Sequence, residues 1–203
     1  KEKNLAVELL KKLIAEQIQI YRRTNVVKSE KFSEIIQGVM NRYLNGMLTN
    51  EEVIEELLKM AQQIREAHDA GDELGLSEDE LAFYDALTKP QAIKDFYEND
   101  ELIAITKELT EALRKNRSMD WQKRDSARAK MRMMIKRLLK KHKYPPEGMD
   151  DAVATVMLQC ELWTDNNDME HRVVNYAEAF SKKAQDLQMV AEEPAPYGTK
   201  KEE

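Results

Sequence analysis

Of the ten Lys and Arg residues between positions 123 and 143, eight form one candidate binding set: Lys123, Lys130, Arg132, Lys136, Arg137, Lys140, Lys141 and Lys143. They are the groups in this chain whose type and spacing could do chemistry, and that chemistry is charge pairing. Ammonium and guanidinium groups crowded along one segment offer phosphates, or an acidic protein surface, a place to sit. They belong to a wider stretch, 114–143, in which thirteen Lys and Arg face two acids, Asp120 and Asp125, for a formal +11. The whole chain is −6, so the rest carries −17. Ordinary exposed helix faces mix the two signs. This one does not, which favours a binding role over a merely solvated surface.

Bond-making chemistry, by contrast, lacks its groups. The six glycines (38, 46, 71, 75, 148, 198) are isolated and none precedes a Lys-Ser/Thr pair, so no phosphate loop is present. No Lys has an acid two positions before it, which removes the Asp/Glu-x-Lys tripeptide of many metal-dependent nucleases. His68, His142 and His171 are far apart and match no zinc spacing. The acidic run 69–80 carries Gly71 where a calcium loop needs an oxygen ligand. Glu51, Glu52, Glu55 and Glu56 sit where the start of a helix favours acids. The single cysteine, Cys160, reads as a core thiol and points to a reducing compartment.

The elements that must position the cations are helices. Charged residues make up 34% and aromatics 6%, and glycine and proline are scarce. Apolar residues recur at helical spacing over 4–21 and again after Ser29, with 22–27 as a connector. Thr49 with Glu52 and Ser77 with Glu80 form capping-box patterns. The helix opened by Thr49 is expected to stop at Gly71. Pro90 suits the first turn of a short helix, and Asn99 or Asp100 caps the next. Asp120 caps the basic helix, which runs to about His142. Pro145, Pro146 and Gly148 forbid its continuation, and Asp150 or Asp151 opens a helix through Trp163. The fold class is all-α, a compact bundle of about eight or nine helices with a disordered C-terminal tail. Its parts are 1–163, a helical assembly domain; 164–191, an additional amphipathic helix; and 192–203, the tail. The chain starts directly in a helical pattern, which reads as a fragment of something larger. No apolar run approaches the ~18 residues that span a bilayer, so no membrane partner is expected.

Phasing the basic helix at 100° per residue divides it. Ala127, Met131, Met134, Ile135, Leu138 and His142 share one apolar face, with Trp121 and Leu139 at its edge. Lys123, Lys130, Arg132, Lys136, Arg137, Lys140 and Lys141 cover the remaining arc, with Met133 among them. Arg124 and Arg128 break the pattern by falling on the apolar side. A buried guanidinium persists only when paired and hydrogen-bonded, so these two are expected to form a buried ion pair or to hold an anion.

The run Asp120-Trp121, Lys123, Ala127-Arg128-Ala129, Met131-Arg132, Ile135-Lys136-Arg137-Leu138-Leu139 and Tyr144-Pro145-Pro146 resembles the C-terminal helical domain of the R subunit of type I restriction–modification enzymes. Three further blocks agree in order: Arg23, Asn25, Ser29, Phe32 and Ser33; Leu74-Gly75-Leu76-Ser77 through Glu80; and Ala82-Phe83-Tyr84-Asp85-Ala86-Leu87. The resemblance covers about 4 to 163. It implies a cytoplasmic bacterial or archaeal protein whose parent joins a nuclease to a DNA translocase, with ATP and Mg used in those absent domains and no cofactor here. It implies as partners the methyltransferase and specificity subunits, together with the upstream nuclease and motor domains of the same chain. The expected function is non-catalytic docking of the R subunit onto the methyltransferase–specificity core. Two alternatives stay open: DNA-backbone binding through 121–143, and an anionic small-ligand pocket at Arg124 and Arg128.

Overall fold

The computed structural model describes residues 2–116 and 121–166. Among these the chain is all-α. Three helices come first: α1 (Glu2–Thr24), α2 (Val26–Leu44) and α3 (Asn50–Leu74). They enclose a core of Val7, Leu10, Ile14, Phe32, Leu57 and Ile64, with Tyr21 stacked on Phe32 at 5.7 Å. Five more follow: α4 (Glu78–Thr88), α5 (Gln91–Phe96), α6 (Asn99–Asn116), α7 (Asp125–Lys141) and α8 (Pro146–Asn166). A 3-10 turn, Trp121–Lys123, precedes α7. These surround a second core that includes Phe83, Leu87, Leu109, Trp121, Ile135 and Val156. α8 packs on α4 and α7 and also on α1 and α2, so it ties the two cores together.

Several boundaries differ from the sequence expectation, each for a local reason. The connector expected over 22–27 is the single residue Asn25. Its extended backbone breaks the helix and its side chain accepts from the Lys28 amide, which caps α2. α3 runs through Gly71 and stops at Gly75, whose φ of 62° is left-handed. Gly71 serves packing instead: a Cβ there would stand 3.2 Å from the Leu76 carbonyl and from Leu81 Cδ2. α8 begins at Pro146, a full turn before Asp150, because proline's fixed φ suits a first helical turn where its missing N–H costs nothing. Both capping boxes form, Thr49 with Glu52 and Ser77 with Glu80. The Asp120 cap, the helix expected beyond α8 to 191 and the tail 192–203 lie outside the described residues.

The corner between α1 and α2 leaves backbone groups that need partners. Gln159 of α8 supplies two at once. Its Nε2 donates to the Thr24 carbonyl at 2.8 Å and its Oε1 accepts from the Val26 amide at 2.9 Å. Beside it Asn25 Nδ2 donates to Asp85 Oδ2 at 2.7 Å, and the Lys28 ammonium donates to the Ala67 carbonyl and lies 3.7 Å from the same Asp85 oxygen. Burial pushes the Lys28 amine below its usual range, and the Asp85 carboxylate partly restores it. A buried polar node thus joins the two cores.

α7 ends in a Schellman turn. Tyr144 N donates to the Leu139 carbonyl and Lys143 N to the Lys140 carbonyl, and Lys143 takes φ 57°. The turn is pinned by Tyr144, whose hydroxyl donates to the Leu87 carbonyl at 2.7 Å and is pushed up to about 12 by burial. Lysine in this conformation is strained where glycine is not. Lys143→Gly is therefore expected to stabilise the fold by about 0.5–1 kcal/mol in urea denaturation, glycine's greater unfolded freedom offsetting part of the relief. A lower denaturation midpoint in that variant contradicts the account of the turn.

Candidate interaction surface on the basic helix

α7 is held by its apolar face. Met131, Ile135, Leu138 and Leu139 are buried, so Leu139 belongs to the core and not to its edge. Trp121, also expected at the edge, is 1% exposed, and its Nε1 donates to Thr164 Oγ1 at 3.0 Å. Gln122 Nε2 reaches the Glu161 carbonyl at 3.0 Å. These contacts fix the entry of α7 against the end of α8.

That entry changes the place of Arg124. The basic segment is not one continuous helix, because a 3-10 turn covers Trp121–Lys123 and Arg124 is the N-cap residue of α7 with an extended backbone. Uniform 100° phasing does not carry across this break. Arg124 is exposed, which corrects the expectation that it points into the core. Arg128 lies within α7, half-buried, and pairs with Glu161 of α8 at 2.6 Å. Arg124 lines a hollow of about 280 Å³ with Trp121 and Lys130, and with Arg128 committed to Glu161 that hollow lacks the second guanidinium an anion pocket would use.

The outer cations fall into two groups. Lys141 and Lys136 are engaged by the protein's own acids. Lys141 Nζ and His142 Nε2 meet the two oxygens of Glu108 at 2.7 Å each, and hydrogen bonds from Lys141 first, then His142, hold the Glu108 carboxyl below the usual range. Lys136 meets Asp150 at 2.9 Å and lowers that carboxyl likewise. Among the described residues no ion pair engages Lys130, Arg132, Arg137, Lys140 or Lys143, all exposed. Lys123, also exposed, stands in the 3-10 turn.

The exposed arc of α7 has two flanks. Arg132, Lys136 and Lys140 lie on one, leading to Lys143 and to a hollow of about 450 Å³ floored by Tyr144, Pro146 and Met149. Lys130, Met133 and Arg137 lie on the other, beside a hollow of about 500 Å³ that also takes in Ala129 and Met134. Met133 is 53% exposed, as expected for its place among the cations. An ion pair at Arg128 was expected from the sequence, but its partner Glu161, the pairing of Lys141 and Lys136 with Glu108 and Asp150, and the polar node at Asn25 were not visible there, because each joins residues on different helices.

The model of the family described as "Type I restriction enzyme HindI endonuclease subunit-like, C-terminal" matches residues 1–166. The chain belongs to this family. The match spans both cores and all eight described helices, and it agrees with the resemblance carried by the blocks around Asp85 and α7. The chain is similar to the type I restriction enzyme HindI endonuclease subunit of Haemophilus influenzae, 38% identical over 159 residues, which are 78% of this chain and 15% of that protein. It is also similar to the putative type I restriction enzyme MjaIXP endonuclease subunit of Methanocaldococcus jannaschii, 33% identical over 150 residues, which are 73% of this chain and 14% of that protein. This chain therefore corresponds to a small share of the length of each relative. No solved structure matches it. No helix among the described residues is long and apolar enough to cross a membrane.

Proposed function

We propose that this domain docks a type I restriction endonuclease subunit onto its methyltransferase–specificity core, and that the flank of α7 bearing Arg132, Lys140 and Lys143 is the surface that does so. The observation that carries the reading is the contrast within one helix. Lys136 and Lys141 are matched by the protein's own acids, while Lys140 and Lys143 stand exposed at a hollow with an apolar floor and Arg132 stands exposed farther along the same flank of α7. Cations around an apolar depression suit an acidic protein surface that also supplies a side chain for the hollow. A surface for phosphates alone needs the charge but not the floor. In this reading the chain is non-catalytic. The parent subunit cuts DNA and moves along it with ATP and Mg bound in its upstream nuclease and motor domains, in the cytoplasm of a bacterium or archaeon.

DNA-backbone binding through 121–143 is the second reading, favoured by the density of positive charge. Two titrations separate them. The chain is expected to form a complex of defined stoichiometry with a purified methyltransferase–specificity core in sedimentation at physiological salt. Duplex DNA is expected to bind weakly, if at all. A linear fall of log affinity for duplex with log salt, with slope roughly −0.9 per phosphate contacted, together with no complex with the core, would overturn docking in favour of the DNA reading.

A further inference from the structure

Phe96 is 61% exposed, yet the backbone that carries it is fastened on both sides. It is the last residue of α5, whose Ile93 is buried in the second core. The next residue, Tyr97, donates its hydroxyl to the His142 carbonyl at 2.7 Å, at the end of α7. The Phe96 ring stands edge-on to the Tyr97 ring, centroids 4.9 Å apart and planes at 81°. A ring held this way loses little freedom when a partner covers it, so its burial goes into affinity. A lone exposed apolar side chain needs no explanation. This one is distinguished by what it adjoins.

Tyr97 lies against Tyr144, ring centroids 6.4 Å apart, and Tyr144 floors the hollow that Lys140 and Lys143 border. α5 also packs on the start of α8, whose Pro146 and Met149 line the same hollow. A Cβ at Gly148 would stand 3.7 Å from Pro90 Cγ and 4.0 Å from Ile93 Cδ1. Phe96 therefore lies two ring contacts from the floor of the hollow, on an element braced against its wall. The charges around the ring separate two kinds of partner. Asp95 and Glu98 flank it in sequence, both exposed and engaged by no ion pair among the described residues. A phosphate backbone continuing from Lys140 and Lys143 toward Phe96 runs onto these carboxylates, and the base faces of a duplex are closed inside its stack. A protein surface can supply an apolar socket for the ring, carboxylates for the lysines and a cation for the acids.

Resting on the docking reading, we propose that Phe96 is the aromatic anchor of that interface, entering an apolar socket on the methyltransferase–specificity core. The interface then extends from the basic flank of α7 across the turn at 142–145 to the end of α5. Its partner face carries acids for Lys140 and Lys143 and a basic group for Asp95 and Glu98. The cations steer the approach, and the ring supplies much of the affinity once water is excluded.

The test is calorimetric titration of a purified methyltransferase–specificity core with the full chain, its Phe96→Ser variant and its Phe96→Leu variant, each with a melting control. Phe96→Ser is expected to weaken binding about 30-fold with an unchanged melting temperature, and Phe96→Leu to recover most of the loss. The loss should persist at raised salt, because burial of an apolar ring is not screened as charge pairs are. Parental affinity in Phe96→Ser overturns the anchor and leaves docking standing. A loss of binding that comes with a lowered melting temperature overturns it too, since the ring then serves the fold. So does a loss of duplex DNA binding in place of core binding. Absence of any complex between the parent chain and the core overturns the docking reading, and the anchor with it.

Discussion

Trp121→Ala is expected to lower the stability of the fold by about 3–5 kcal/mol, the range for truncating a fully buried tryptophan. The side chain is 1% exposed and stands among Leu113, Met131 and Trp163 in the second core. Its indole nitrogen holds Thr164, so truncation also frees the last turns of α8 from the entry of α7. The effect should therefore be larger than that of a smaller core residue, and it should be accompanied by loss of packing between the entry of α7 and the end of α8. Urea denaturation followed by circular dichroism measures it. A loss below about 1 kcal/mol would mean that the 3-10 turn is a peripheral strap and does not anchor α7.

Asp85→Ala is expected to cost about 3 kcal/mol, because it strands the Lys28 ammonium in a site that already disfavours its charge. The same change removes the acceptor of Asn25 Nδ2, the residue that forms the whole connection between α1 and α2. Lys28→Met alone leaves Asp85 with Asn25 and a route to solvent, and should cost less. The double variant should recover a large part of the single loss, since removing both charges is far less costly than removing one. A coupling energy of about 1–3 kcal/mol is expected from the cycle. Strictly additive losses would show that the two groups do not depend on each other.

Much of the fold was legible in the sequence because it rests on local chemistry. The capping boxes at Thr49 and Ser77 form as their spacing requires, and the apolar stripe of α7 is buried along Met131, Ile135 and Leu138. What failed to show depends on contacts and backbone breaks that a helical repeat does not encode. Gly71 looks like a helix stop until Leu76 and Leu81 are seen pressed against it. Gln159 gives no sign of its role, since the amide and carbonyl it serves lie 133 and 135 positions away. Arg124 was misplaced because phasing assumes an unbroken helix, and the break comes from a 3-10 turn whose residues carry no proline or glycine. The candidate surface was legible as charge and illegible as availability. Composition counts Lys136 and Lys141 equally with Arg132 and Lys140, whereas Asp150 and Glu108 engage the first two.

That distinction is the centre of the docking account, and one comparison of affinities tests it directly. Binding of the chain to a methyltransferase–specificity core is measured by calorimetry for the parent, for Arg132→Glu with Lys140→Glu, and for Lys136→Glu with Lys141→Glu. All three carry melting controls. The account predicts that reversing Arg132 and Lys140 weakens binding on the order of 100-fold with little change in melting temperature. Reversing Lys136 and Lys141 should lower the melting temperature and weaken binding far less. Equal loss of affinity in both variants, or unchanged affinity in the first, would contradict it.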